Sequence, residues 1–210
     1  MANNHTRCPA KSGITYRQYA NDIAKELFRK SIHLCSAFIP LLLNYFYWPV
    51  IIALSIIVTL YSIAEFARIN GKTVPIISAV TAAAARKRDE NRFVLGPVTL
   101  SLGIILCALL CKPNAAAIGI YALAFGDGLA SLAGKLFGKI HIPLTQGKTA
   151  AGSLTCFTAI FISSYLAGKD VRAALIIASV GMFIEVLPLK DFDNIIIPVV
   201  LGRLAQFLLY

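Results

Sequence analysis

The sequence predicts an all-α fold, a polytopic membrane helix bundle of about seven transmembrane helices with a cytoplasmic N-terminus. Three observations carry this reading. The 210 residues are 58% hydrophobic and only 14% charged, whereas soluble domains run at roughly 45–50% apolar and ~25% charged. The apolar runs are long and show no period-2 alternation, so their backbone polar groups must be satisfied within helices rather than in a barrel. The basic residues, finally, fall almost entirely in alternate loops, as the positive-inside bias of membrane helices requires.

Taken in order, the first 30 residues are polar and basic, without the apolar core and small-residue cleavage site of a signal peptide. Residues 1–25 read as a basic cytoplasmic segment and residues 26–210 as a single transmembrane domain. Windows of about 20 apolar residues place helices near 31–48, 50–69, 93–111, 114–137, 150–167, 171–188 and 193–210. The stretch Val74 to Arg88 is too short and too polar at its end to span, and reads as an interfacial or re-entrant piece. With the N-terminus inside, sixteen Lys and Arg lie on the cytoplasmic side, from Arg7 to Lys190, against Lys112, Lys169 and Arg172 on the other. Tyr45 to Trp48 then forms an aromatic belt at the outer interface.

The net charge of +10 fits basic loops facing anionic headgroups. No basic helix with interleaved aromatics points to nucleic acid. The five cysteines make neither a C-x-x-C pair nor a zinc pattern and read as packing residues. No inverted repeat of the transporter kind is visible.

Carboxylates in or beside a span are costly and mark functional candidates. Glu26, Glu65, Asp127, Glu185 and Asp193 all fall on the cytoplasmic side in this topology, which suggests one shared polar site. Gly126-Asp127-Gly128 opens a glycine-rich stretch that continues through Lys135 and Lys139 to Gly147-Lys148-Thr149 and Gly152-Ser153. Two explanations of these glycines stand side by side: close helix packing, and approach of backbone N–H groups to phosphate with a lysine as counter-charge. Asp127 with these lysines suits a magnesium-bound polyphosphate, since Mg²⁺ is usually held by one or two carboxylates plus substrate phosphates. Glu26, Arg29, Lys30 and His33 share a helical face by their spacing. Glu65 and Arg68 are an i, i+3 pair. Glu185 precedes a Pro188 break, after which Asp193-Asn194 restarts a helix.

Together these segments, E-x-x-R-K-x-x-H at Glu26 to His33, G-D-x-x-A-S-x-x-G-x-x-F-G from Gly126 to Gly138, G-K-T-x-x-G-S from Gly147 to Ser153 and E-x-x-P-x-x-x-x-D-N from Glu185 to Asn194, resemble the CTP-dependent lipid kinases. That family includes dolichol, phytol and farnesol kinases and the CTP-dependent diacylglycerol kinase, and is related to the phosphatidate cytidylyltransferases. The resemblance implies transfer of the γ-phosphoryl group of CTP to the hydroxyl of a polyprenol, phytol or diacylglycerol at the cytoplasmic face, with Mg²⁺ as cofactor. It implies that Asp127 binds Mg²⁺, with Asp193 or Glu185 as second ligand or as the base that orients the hydroxyl. Lys148, Lys135 and Lys139 would contact the triphosphate, with Gly126, Gly147, Thr149, Gly152, Ser153 and Asn194 completing the nucleotide site. Glu26, Arg29, Lys30, His33, Glu65 and Arg68 would hold phosphate or the lipid headgroup. A cytidylyltransferase making CDP-diacylglycerol is the enzyme alternative, separable by its products, and a membrane transporter the alternative of another class. The small size points toward a bacterial inner membrane.

Overall fold

A computed structural model of the protein describes residues 16–72, 92–143, 145 and 147–210, with side chains from residue 23 onward. The stretch from Val74 to Arg88 lies outside them. Among the described residues the fold is all-helical, apart from one antiparallel bridge between His141 and Thr149.

The helices begin and end where local chemistry directs. α1, Tyr16–Cys35, runs into a 3₁₀ turn at Ser36–Phe38, and α2, Ile39–Tyr45, starts with Pro40 in its first turn. The span expected at 31–48 is therefore two pieces. A proline has no N–H to give and is favoured in a helix's first turn, where none is needed, so the chain restarts there. The helix also begins well before residue 31, because its polar face conceals it from an apolar window. α3, Tyr47–Ile69, and α4, Gly96–Leu110, follow. α5, Pro113–Phe137, is continuous but widens into a π-helical segment at Ala122–Asp127. α6, Ala150–Gly168, is capped by the Thr149 side chain and ends at Lys169 in the left-handed region, φ 57°. α7, Val171–Val186, is capped by Asp170 and stops just short of Pro188; α8, Asp193–Leu209, carries Pro198 inside it.

α3, α5 and α6 are long and apolar enough to cross a membrane. α3 presents Ile52, Ile56, Leu60, Ile63 and Phe66 outward, each more than half exposed, a surface suited to lipid rather than water. α5 is the centre of the bundle. Its first half packs on α8 and α4, its second half on α6 and α1, while α7 closes against α6 and α8. The core between them is Ile104, Ile118, Leu123, Ile160, Ile177 and Leu201, essentially without exposure.

Candidate active site

Because the helices alternate in direction, one end of the bundle collects the second half of α1, the end of α3, the starts of α4, α6 and α8 and the end of α7. Among the described residues the ion pairs and the hydrogen bonds between two side chains lie there. On α1 the i, i+4, i+7 spacing turns Glu26, Lys30 and His33 inward, and each is buried. Lys30 Nζ donates to Asp127 Oδ2 at 2.5 Å, linking α1 to the π segment of α5. His33 Nδ1 stands 3.3 Å from the same oxygen without hydrogen-bond alignment, and has no other partner among the described residues. Asp127 Oδ1 makes no hydrogen bond among the described residues.

Glu26 anchors a second link between the same helices. It accepts from Arg29 at 2.5 Å, from Ser131 Oγ, and from Lys135 at 3.2 Å. Burial alone would raise its pKa, but Arg29, Ser131 and Lys30 hold the carboxyl well below the ordinary range. Burial likewise works against the charge on Arg29, and the Glu26 carboxylate outweighs it, raising the guanidinium further.

The loop between α5 and α6 folds back on itself, Ile142 N donating to the Lys148 carbonyl and Ala150 N to that of Ile140. This brings Lys148 Nζ to Glu185 Oε1 on α7 at 2.6 Å, while Ser153 Oγ donates to Glu185 Oε2 at 3.2 Å. Burial opposes the Lys148 charge, but Glu185 keeps the ammonium above the ordinary lysine range. Asp193 completes the group. It lies within electrostatic reach of Asp127, Lys30 and Lys148, accepts Asn194 N at 2.9 Å, and makes no ion pair among the described residues.

The glycines divide between the two explanations. Gly126 serves packing: a Cβ there would lie 2.7 Å from Ile160. Gly134 and Gly152 let α5 and α6 meet at Thr149 and the Ala130 carbonyl. Gly147 is different, with φ +98° and open space around it, the one glycine of the motif whose backbone remains free to approach a ligand. Thr149 Oγ1 accepts from Gly152 N and is engaged as the cap of α6. Lys139 is exposed, and Lys135 is half-exposed while tied to Glu26. Asn194 is buried against α4, donating to Thr99 Oγ1 at 2.9 Å.

Glu65 and Arg68 form a cluster of their own. Arg68 donates to both Glu65 oxygens and to the Arg92 carbonyl, and Glu65 Oε1 accepts Val94 N. These contacts clamp the end of α3 to the start of α4. One participant carried no signal in the sequence, Thr99, since a hydroxyl in an apolar helix usually bonds its own backbone; Ser131, the serine of the G-D-x-x-A-S motif, bonds Glu26 rather than only packing.

No family model matches the chain, and no solved structure does. Curated proteins do. A farnesol kinase, chloroplastic, of Arabidopsis thaliana is 30% identical over 142 residues, covering 60% of this chain and 46% of that protein. A probable phytol kinase, chloroplastic, of Glycine max is 26% identical over 158 residues, 66% of this chain and 52% of its own length. A phytol kinase, chloroplastic, of Arabidopsis thaliana is 27% identical over 149 residues, 62% and 49%. The chain spans about half the length of the curated relatives it matches. Those relatives are named as chloroplastic, which lends nothing to the bacterial membrane expected from size. The resemblance carried by the four motifs is thus met in the comparisons: the curated homologues of this chain are farnesol and phytol kinases.

Proposed function

We propose that this protein transfers the γ-phosphoryl group of CTP to the hydroxyl of an isoprenoid alcohol of the farnesol or phytol type. The observation that carries the reading is the buried Lys30–Asp127 pair with Asp193 within electrostatic reach of it, at one end of an apolar bundle whose relatives are named as kinases of such alcohols. We place that end at the cytoplasmic face, because the topology expected from the sequence assigns sixteen of the Lys and Arg residues to that side. The topology is seven crossings with the N-terminus inside, the first made in two pieces by the end of α1 and by α2.

The residues fit a magnesium ion. Among the described residues no three His, Cys, Asp or Glu side chains form a ready cage, but Mg²⁺ with a nucleotide needs only one or two carboxylates, the phosphates supplying the rest. Asp127, with one oxygen free of hydrogen bonds among the described residues, and Asp193, with no ion pair among them, are those two. Bound there, the ion would neutralise charge developing on the phosphates. Lys30 holds Asp127 in place, and Glu185 holds Lys148 at the mouth of the Gly147 loop, where its ammonium reaches the triphosphate. Glu26 fixes Arg29 toward the same anion. The lipid oxygen attacks the γ-phosphorus, the bond to CDP breaks, and the hydroxyl proton passes to Asp193. Positioning and charge neutralisation dominate such a reaction.

Incubating purified protein with Mg²⁺, γ-labelled CTP or γ-labelled ATP, and farnesol, phytol, diacylglycerol or phosphatidate tests this. The expected result is label on an isoprenoid phosphate together with CDP. Label released as pyrophosphate in the presence of phosphatidate would instead identify a cytidylyltransferase, and label from ATP but not CTP would remove the donor assignment.

A further inference from the structure

α4 contains no charged residue, yet its first turn meets the first turn of α8 through a polar contact. Asn194 Nδ2 donates to Thr99 Oγ1 at 2.9 Å and lies 3.5 Å from the Gly96 carbonyl. Both side chains are buried, 2% and 4% exposed. The Thr99 hydroxyl donates in turn to the Leu95 and Gly96 carbonyls at 3.2 and 3.1 Å, which leaves its lone pairs for Asn194. The two helices cross so closely that a Cβ on Gly103 would run into the Asn194 carbonyl. Pro198 lacks the N–H that would otherwise pair with that carbonyl. Asp193 precedes this anchor by one residue, its Oδ1 bonded to Asn194 N, and it has no ion pair among the described residues to hold it by charge.

We infer that Thr99 and Asn194 are positioning residues, which pin the first turn of α8 to α4 and so aim the Asp193 carboxylate at the space it shares with Asp127. The inference rests on the proposed function, in which both carboxylates face one Mg²⁺. Asn194 then acts through Asp193 rather than on the nucleotide. Thr99 is its partner from an otherwise apolar helix. Outer partners of this kind fix the direction of a ligand that has no other constraint.

The test is Mn²⁺ binding in the presence of CTP, followed by electron paramagnetic resonance on the full chain in lipid nanodiscs, with thermal unfolding measured alongside. Wild type is compared with Thr99→Val, Thr99→Ser, Asp193→Asn and the Thr99→Val/Asp193→Asn double variant. Thr99→Val is expected to weaken Mn²⁺ binding about tenfold, and Thr99→Ser to stay within about twofold of wild type. On the Asp193→Asn background Thr99→Val adds no further loss, because both changes remove the same ligand. A Thr99 that merely stabilises the fold weakens both backgrounds alike, and that result overturns the inference. So does unchanged Mn²⁺ affinity in Thr99→Val when Asp193→Asn has lost it. Wild type that retains no Mn²⁺ with CTP refutes the proposed function itself, and the positioning role with it. Binding in wild type that Asp193→Asn leaves intact removes Asp193 as a ligand and the positioning role with it, and leaves the phosphoryl-transfer reading standing.

Discussion

Lys30→Met removes the cation from a pair whose side chains are only 2% and 6% exposed. Methionine is close to lysine in length and volume, so the change opens little cavity and the loss is electrostatic. Breaking a buried ion pair from one side costs about 3–5 kcal/mol, because the remaining charge stays desolvated without its partner. The low end applies here, since the Arg29 guanidinium also acts on Asp127. A loss of ~3 kcal/mol lowers the folded-to-unfolded ratio by about two decades, a large share of the ~5–15 kcal/mol that typical domains possess. The assay is equilibrium unfolding in mixed micelles by rising SDS fraction, followed by helical circular dichroism. The double variant Lys30→Met/Asp127→Asn removes the stranded charge and regains most of the loss. A single variant as stable as wild type, or a double variant no better than the single, refutes the assignment of this pair as a buried, mutually dependent unit.

Three further outcomes follow from the same geometry. Gly126→Ala places a methyl group 2.7 Å from Ile160 and costs about 1–3 kcal/mol by overpacking; combination with Ile160→Ala relieves it, and unfolding curves that show no such relief would exclude the contact as the cause. Glu185→Gln frees Lys148 from an ion pair and its hydrogen bond, worth ~1.5–3 kcal/mol, so limited trypsin cleavage after Lys148 quickens about tenfold; equal cleavage rates would mean that Glu185 does not hold the loop. Glu26 has a depressed folded-state pKa, so its stabilisation is present above the ordinary carboxylate range and is lost as pH falls through and below that range. Melting temperatures of wild type and Glu26→Gln therefore differ at neutral pH and converge in acid; a gap that stays constant with pH would count against an ionised Glu26.

Much of the bundle was legible because its helices are written in apolar length. The expected positions at 50–69, 114–137 and 150–167 lie within a few residues of α3, α5 and α6. The first span was misjudged for a physical reason: Glu26, Arg29 and Lys30 lower the hydropathy of a face that is nonetheless buried, so an apolar window starts too late and overlooks the break before Pro40. The gathering of Glu26, Lys30, Asp127, Lys148, Glu185 and Asp193 followed from topology alone, since alternate helix ends must share a side. Which group meets which did not follow. That Lys148 reaches Glu185 depends on the loop folding back through Ile140 and Ile142, and that Asn194 finds Thr99 depends on a crossing made possible by Gly103. Glu65 and Arg68 carried the same local signature as the site residues, and their pairing with Val94 and Arg92 sets them to work at a helix junction instead.

The π-helical segment at Ala122–Asp127 gives α5 two independently set phases. A regular helix turns 100° per residue, so one face cannot stay aligned with two sets of neighbours that approach from different azimuths. Above the segment, Gly119 lies against the Pro198 carbonyl of α8; below it, Gly134 lies against Thr149 and Ser131 against Glu26. The wide turn acts as a fixed angular offset between the half that builds the bundle and the half that carries the chemistry. Were the same residues wound as a regular helix, each turning 100°, Asp127 and everything after it would sit at another azimuth, away from Lys30. The reactive half of the helix is thus indexed to the scaffold by a count of residues, in the way a gear tooth sets the timing of a shaft.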